Sequence, residues 1–359
     1  MRLALAAVAV VALVAFAGGE FATGGSDLMK FKGYGMATLN MWGEEDANPA
    51  MSFEGYARFQ WLPQVNDWIN AKVDWDVSTN EGYLELNDAW LNLDLTENFA
   101  VMAGQFKRPW GYAYTRSSSS MYFLDRSIIT EATAYPGGEG EPMDAFGWFG
   151  GYDVGMNVRG DFDVVAIDLA VQNGTGGNAD AMDDNLIDKQ VTVRAEAMPN
   201  EWATIGVAYG MANRETTDME DTYSAGGIDA YGVVEYPMSE TGTLLFTGEY
   251  LMLPYLGAEV EGQEAQDGMA YSAMLGGMFE VDLGRITALT PAVRYDQVDP
   301  AWYDEMDPEP EDNFGAIDFC LNVHTGPMNT LQLGARNYTF ENEDADGWTD
   351  IYANWRMTF

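Results

Sequence analysis

The sequence predicts an all-β fold, a transmembrane antiparallel up-and-down β-barrel of sixteen strands, and three observations support this prediction. From residue 28 onward, segments of about 10 residues alternate apolar and polar side chains, which is the period of a β-strand. The links between these segments alternate between short and long. No run of about 18 apolar residues follows the N-terminal segment, which excludes a helical membrane span.

The N-terminal segment, MRLALAAVAVVALVAFAGG, has the organisation of a secretory signal peptide. Arg2 precedes an apolar core that runs from Leu3 to Phe16, and Ala15-Phe16-Ala17 forms a small-x-small cleavage site. We therefore predict that residues 1–17 are a cleaved signal peptide and that residues 18–359 form a single barrel domain. An anchor helix, the alternative, would need a longer span or a polar stop-transfer flank.

Sixteen segments share the β period. They are 28–42, 51–62, 68–78, 84–95, 98–108, 146–160, 162–173, 189–198, 202–213, 227–237, 242–253, 269–281, 285–297, 314–323, 330–340 and 348–359. The links after even-numbered segments are short, and one of them is the single residue Asp161, whereas those after odd-numbered segments are generally long and polar. An outer-membrane barrel has this organisation, with tight periplasmic turns and large external loops. A soluble sandwich or propeller has no reason to sort its links in this way.

Each segment has two chemically distinct faces, which suits a wall between lipid and water. On segment 84–95 the apolar face carries Ala89, Leu91, Leu93 and Leu95, and the polar face carries Asp88, Trp90, Asn92 and Asp94. In lipid every backbone donor and acceptor must be paired internally, so only a closed barrel removes the sheet edges. The alternative of a secreted, soluble glycan-binding β-protein would lack a continuous lipid-facing band.

The C-terminal segment IYANWRMTF is predicted to be the strand that closes the barrel against the first strand. Its apolar face consists of Ile351, Ala353, Trp355, Met357 and Phe359, and Arg356 faces the lumen. The terminal aromatic residue Phe359 resembles the signal that the outer-membrane assembly machinery recognises. We therefore expect that machinery, together with outer-membrane lipids, to be a partner of the chain.

Charge is distributed unequally between the predicted loops and strands. The formal charge of −40 argues against nucleic acid as a partner. More than half of the 57 acidic residues lie in the predicted external links, where they would concentrate cations or bind divalent ions. Basic residues concentrate on the water-facing side of the strands, because a charge on the lipid face would cost about 2–4 kcal/mol at mid-membrane. Inward basic residues favour anions, but they could instead pair with inward acids such as Glu54, Asp74, Asp88 and Asp153.

No motif in the chain predicts catalysis, a cofactor or a metal site. Cys320 is the only cysteine and His324 the only histidine, which argues against a disulfide framework, a zinc site or a Ser-His dyad. The stretch DADG at 344–347 begins like a calcium loop, but Trp355 occupies the position of the closing Glu. A glycosidase-like acidic pair stays open, although such pairs carry little information among 57 carboxylates.

The longest link, 109–145, is the third external loop, and we expect it to fold inward and narrow the lumen. The motifs GQFKRPWG (104–111), SSSSMYFLDRS (117–127), YDVGMNVRG (152–160) and AVQNGTGGN (170–178) resemble the phosphate-selective porin O/P family of Gram-negative outer membranes. The resemblance implies a trimeric sixteen-stranded porin whose third external loop forms the constriction. It matches Lys107 and Arg108 to basic residues that end the fifth strand, and Arg126 to the Arg of a Phe-x-x-Arg-Ser stretch. The chain departs from the family's Arg-Asp-x-Gly pattern, because Tyr152 precedes Asp153.

We therefore predict a porin without enzymatic activity in the Gram-negative outer membrane, forming a water-filled channel for passive diffusion of ions and small hydrophilic solutes, with a preference for anions or phosphate. The candidate pore-lining and constriction residues are Lys107, Arg108, Arg116, Arg126, Arg58, Lys72, Arg159, Arg194, Arg294, Arg336 and Arg356. The alternative is a barrel that serves as an adhesin or as a platform for a surface enzyme. That function would call for a clustered nucleophile or a large inserted domain.

Overall fold

A computed structural model describes most of the chain. The described residues are 29–43, 50–79, 82, 84–131, 151–174, 189–215, 222–253, 265–266, 268–299, 302–303, 313–340 and 347–359. The predicted signal peptide lies outside them, and so do most of the acidic external links and the DADG stretch up to Asp346. No helix within these ranges is both long enough and apolar enough to cross a membrane.

Sixteen antiparallel strands form one closed barrel. They are β1 Met29–Gly43, β2 Ala50–Asn66, β3 Ile69–Ser78, β4 Leu84–Asp94, β5 Phe99–Lys107, β6 Tyr152–Phe162, β7 Val165–Gln172, β8 Gln190–Asn200, β9 Ala203–Glu215, β10 Thr222–Ser239, β11 Gly242–Leu253, β12 Gly268–Leu283, β13 Ile286–Asp299, β14 Phe314–His324, β15 Asn329–Phe340 and β16 Thr349–Thr358. Each strand pairs with its sequence neighbours. The order is closed by β1 and β16, and the predicted sixteen-stranded barrel is thereby confirmed.

One predicted turn is wrong. Asp161 does not form the link between the sixth and seventh strands, because β6 continues to Phe162 and the chain turns at Asp163 and Val164. Asp163 has a φ of 50°, a left-handed conformation that Asp tolerates better than most residues. The two aspartates lie two residues apart in DFDVV, and only the second one turns the chain.

On the barrel wall the apolar side chains are exposed and the polar side chains are buried, which is the reverse of a soluble protein. On β7 the apolar side chains of Ile167 and Leu169 are 42% and 44% exposed, whereas Asp168 and Gln172 are 4% and 2% exposed. The same inversion recurs around the barrel, with large aliphatic and aromatic residues exposed outside. We call the buried set the polar face and the exposed set the apolar face.

The barrel closes where β16 pairs with β1, from Tyr34 opposite Thr358 to Gly43 opposite Thr349. The pairing extends one residue further, since the backbone N–H groups of Gly33 and Phe359 each donate to the other residue's carbonyl, at 3.0 and 2.9 Å. The Phe359 ring covers Gly33 and tilts against Phe59 with centroids 6.1 Å apart. A Cβ at position 33 would lie 2.6 Å from the Phe359 Cζ atom, so this approach needs glycine.

Adjacent residues of β4 allow a matched test of the two faces. Leu91 lies on the apolar face and is 56% exposed, whereas the neighbouring Asn92 lies on the polar face, where its amide donates to Asp94 at 2.7 Å. We expect Leu91→Arg to destabilise the folded barrel by about 2 kcal/mol in a bilayer, because the guanidinium faces lipid. Asn92→Arg places a guanidinium on the polar face beside the Asp94 carboxylate and should change the stability little. Urea unfolding in liposomes measures both, and equal losses would contradict the assignment of faces.

Candidate functional site

Residues 108–131, which follow β5, form a compact segment that lies against the polar face of the wall. Within residues 108–131 it contains two one-turn helices, α1 (Tyr112–Thr115) and α2 (Ile128–Glu131), and a short 3-10 turn at Ser118–Ser120. Its apolar residues Trp110, Phe123 and Ile129 are almost completely buried. They pack against inward-facing residues of the later strands, namely Ala208, Leu245, Leu251, Ala270, Met274, Ala292, Val298, Phe314, Ala316, Cys320 and Tyr352.

Three wall carboxylates hold the backbone N–H groups of this segment. Gly111 N donates to Asp229 Oδ2 at 3.1 Å, and Ala113 N donates to Glu249 Oε2 at 3.0 Å. Ile128 N, at the start of α2, donates to Asp296 Oδ2 at 3.1 Å. The first N–H groups of a helix have no partner within the helix, and a carboxylate is a favourable acceptor for them. The sequence prediction did not include these acids, although all three lie in inward register on β10, β11 and β13.

Arg294 and Arg336 hold carbonyl groups of the same segment. Arg294 Nη2 donates to the carbonyl of Arg126 at 2.9 Å, and Arg336 Nη2 donates to the same oxygen at 2.7 Å. Between them lies the buried carboxylate of Asp318, which accepts from Arg336 Nε at 2.7 Å and forms an ion pair with Arg294. Both guanidiniums are therefore compensated on one side by a carboxylate and on the other by the segment.

Arg356 fixes the middle of the segment. Its Nη1 donates to the carbonyls of Ser118 and Met121 at 3.1 and 2.9 Å. Gln332 on the neighbouring strand also donates to Met121 O, at 3.2 Å. Arg356 faces the barrel interior as predicted, and its contacts attach it to this segment.

An ion-pair cluster occupies the polar face of β2, β3 and β4. Arg58 donates twice to Asp74, each time at 2.8 Å, and lies 3.6 Å from Asp76. Lys72 lies 2.7 Å from Asp88 and 3.0 Å from Asp74. The alternative of pairing with inward acids is thus seen for Arg58 and Lys72, and here three carboxylates surround two cations.

Two further predicted residues also have carboxylate partners. Arg108 is 1% exposed and forms an ion pair with the fully buried Asp153 at 2.9 Å. Burial lowers the pKa of Arg108, and the Asp153 carboxylate opposes this. Arg159 contacts Asp161 at 2.9 Å and Asp168 at 3.0 Å, and its side chain is 40% exposed. Arg159 is therefore accessible from the lumen, whereas Arg108 is enclosed in the wall.

Two stacked tyrosines connect Arg194 on the wall to Arg116 on the segment. Arg194 contacts Glu196 at 2.5 Å and donates to the Tyr231 hydroxyl at 2.9 Å. The Tyr231 ring stacks on Tyr112 with centroids 4.9 Å apart, and Arg116 Nη1 donates to the Tyr112 hydroxyl at 3.2 Å. The structure thus connects the wall and the segment by alternating cations and phenols.

Lys107, the last residue of β5, contacts a backbone carbonyl and two tyrosine rings. Its ammonium donates to the carbonyl of Tyr114 at 2.8 Å and lies 4.4 Å from the centroid of the Tyr114 ring and 5.3 Å from that of Tyr152. Among the described residues it forms no ion pair with a carboxylate. The Arg126 guanidinium lies 5.3 Å from the centroid of the same Tyr114 ring, and Arg126 donates to Arg116 O at 2.9 Å. No carboxylate of the described residues is therefore in direct contact with the Lys107 ammonium.

The phenols of the segment stay neutral. Burial raises the pKa of the Tyr114 hydroxyl, and the nearby Arg126 partly opposes the increase. Burial likewise raises the pKa of the Tyr122 hydroxyl, against the effect of Arg116. These rings add polarisable surface without adding negative charge beside the cations. No group of three or more His, Cys, Asp or Glu side chains within the described ranges could hold a metal ion.

Comparisons with known proteins agree with the fold. Residues 56–228 match the model of the family described as phosphate-selective porin O and P, which confirms the resemblance seen in the sequence. OmpF of Salmonella typhi, solved with daunomycin, is 13% identical, with a TM-score of 0.60 over 92% of this chain and 97% of that chain. An anion-selective porin from Comamonas acidovorans is 10% identical, with a TM-score of 0.61 over 92% and 100%. OmpT of Vibrio cholerae, in trimer form, is 13% identical, with a TM-score of 0.55 over 93% and 100%. No curated protein matches the chain.

The anchoring contacts of Arg356 can be tested without any assumption about function. Arg356→Met removes both donors to the carbonyls of Ser118 and Met121. A hydrogen bond from a charged donor contributes about 1.5–3 kcal/mol, so amide hydrogen exchange within residues 118–126 should accelerate about tenfold or more in detergent micelles. Arg159→Met is the control, since the contacts of Arg159 are with Asp161 and Asp168. Unchanged exchange in Arg356→Met would contradict the anchoring role.

Proposed function

We propose that this chain, whose residues 56–228 match the model of the phosphate-selective porin O and P family, is an outer-membrane porin that forms a water-filled channel for passive diffusion of ions and small hydrophilic solutes and prefers anions. The observation that carries the anion preference is Lys107, whose ammonium has no carboxylate partner among the described residues.

In this proposal residues 108–131 narrow the lumen. The segment's contacts with Asp229, Glu249, Asp296, Arg336 and Arg356 span the polar face from β10 to β16. Solutes then pass between the segment and the opposite wall, which β1 to β8 provide. Polar side chains and the one-turn helices of the segment form the boundary of this passage.

The same contacts reduce the number of cations that a passing ion would encounter. Arg294, Arg336 and Arg356 are buried and donate to backbone carbonyls, and Arg58 is buried against Asp74. The Lys107 ammonium has no carboxylate partner among the described residues, and Arg126 lies over the same Tyr114 ring. Fixed positive charge at a narrow, weakly screened point favours anions more than the same charge at an open mouth. The acidic external links oppose this preference from outside.

Export, assembly and oligomeric state complete the proposal. The N-terminal signal peptide would direct the chain to the periplasm, and the barrel would be inserted into the outer membrane by the assembly machinery that recognises Phe359. A homotrimer in outer-membrane lipid is the proposed final state. It is supported by the trimer form of the structurally similar OmpT of Vibrio cholerae.

The selectivity test is the reversal potential of the reconstituted channel under a KCl gradient. Lys107→Gln removes the uncompensated charge and should shift the reversal potential toward cation preference. Lys32→Gln is the matched control, because Lys32 is exposed near the start of β1, opposite Gln60 of β2, and has no contact with residues 108–131 among the described residues. Equal shifts in the two variants, or a cation-selective wild type, would contradict the proposed role of Lys107. Absence of conductance in correctly folded protein would contradict the channel itself.

Assembly can be tested at Phe359. Phe359→Ala removes the ring that covers Gly33 and contacts Phe59. We expect less heat-modifiable barrel in the outer membrane after expression of Phe359→Ala, because both the seam packing and the proposed recognition signal are lost. Phe359→Tyr retains the ring and should assemble normally. Assembly of Phe359→Ala at the wild-type level would exclude the proposed role.

A further inference from the structure

A continuous row of alternating cations and aromatic rings crosses from the wall to the segment. Its members in order are Arg58, Tyr152, Lys107, Tyr114 and Arg126. Arg58 lies 5.9 Å from the Tyr152 ring centroid, and the Lys107 ammonium lies 5.3 Å from the same ring and 4.4 Å from the Tyr114 ring. Arg126 lies 5.3 Å from the Tyr114 ring. We call these five residues the cation–tyrosine row.

Contacts at both ends hold the row in place. The Arg58 guanidinium donates to the Tyr152 hydroxyl at 2.6 Å while two further donors hold Asp74. At the other end Arg126 donates to the carbonyl of Arg116 and to the Ser118 hydroxyl, each at 2.9 Å. Tyr114 and Tyr152 are only partly buried, so part of each ring surface can be reached from the passage.

This arrangement suits an anion that carries a planar ring. Inorganic phosphate is bound best by several converging N–H donors and gains nothing from tyrosine rings. An aromatic carboxylate can place its carboxylate on the Lys107 ammonium while its ring stacks in an offset or edge-to-face manner on a neighbouring phenol. A cation beside the phenol also offsets the repulsion between the negative ring face and the anion.

We propose that the cation–tyrosine row is a transient binding site for aromatic monocarboxylates and that these are preferred solutes of the channel. This inference rests on the proposed channel function and adds a substrate class to it. Lys107 supplies the charge, because it has no carboxylate partner among the described residues. Tyr114, whose ring both Lys107 and Arg126 approach, supplies the aromatic surface.

The test uses the wild-type channel in planar bilayers with KCl as the charge carrier. Benzoate is the probe, and cyclohexanecarboxylate, acetate and inorganic phosphate are the comparison anions. We expect benzoate to reduce the KCl current with an apparent affinity about two- to tenfold higher than that of cyclohexanecarboxylate, which has similar size but no aromatic ring. Equal affinities would overturn the inference, and so would tighter binding of phosphate. A channel that conducts KCl without preferring benzoate fails this inference alone, whereas a folded protein without KCl conductance fails the proposed function and this inference with it.

Variants at Tyr114 locate the site. Tyr114→Leu should bring the apparent affinity for benzoate down to that for cyclohexanecarboxylate, and Tyr114→Phe, which keeps the ring, should retain the preference. Tyr250→Leu is the control, because Tyr250 is 40% exposed on the apolar face of β11. If Tyr114→Leu does not yield a heat-modifiable barrel, Lys107→Gln provides the second test and should lower the affinity for benzoate. An unchanged preference for benzoate in folded Tyr114→Leu, or an unchanged affinity for benzoate in folded Lys107→Gln, would overturn the assignment to this row.

Discussion

The structure depends on one constraint, which is that every backbone N–H and C=O group in lipid must be paired within the protein. A sheet meets this requirement only when its first and last strands pair, and here β1 and β16 do so over their length. Closure produces an interior and an exterior, and the two-residue period of each strand then assigns its side chains to one or the other. The many buried acids and arginines of this chain are tolerated because they lie on the inside, where partners and water are available.

Most interior charges have a structural task. Asp229, Glu249 and Asp296 accept N–H groups of the segment, and the wall arginines donate to its carbonyls. A buried charge without a partner is costly, so each of these contacts depends on the others. The number of inward cations is therefore a poor measure of the field that a permeating ion encounters, and the few cations without a carboxylate partner carry more weight.

The strands could be predicted from sequence because their signal is local. Alternation within about 10 residues assigns the two faces, and link length assigns the two ends. The turn at Asp163 was missed because Asp161, two residues earlier, has the same side chain, and only the left-handed backbone at Asp163 distinguishes them.

The sequence also predicted the position of the candidate site, because Arg116 and Arg126 lie in the longest link and Lys107 and Arg108 directly precede it. The partner of each inward cation could not be predicted. Arg356, for example, donates to the carbonyls of Ser118 and Met121, which lie more than 230 positions earlier in the sequence. Such pairs follow from barrel closure and side-chain packing rather than from any local pattern. The sequence identified Lys107 and Arg356 as equivalent candidates, whereas their contacts separate them.

The attachment of the segment to late strands has a consequence for the order of folding. Residues 108–131 follow the fifth strand, but most of the wall residues that hold their backbone lie on β10 to β16, and the last of these is Arg356. The segment therefore cannot reach its final position until nearly the whole chain has been threaded and the sheet has closed. Contacts between residues far apart in the sequence form late, because the chain loses loop-closure entropy before these contacts stabilise the fold. Docking of this segment is therefore among the last steps in the folding of the barrel, and it depends on a strand that is made after all the others.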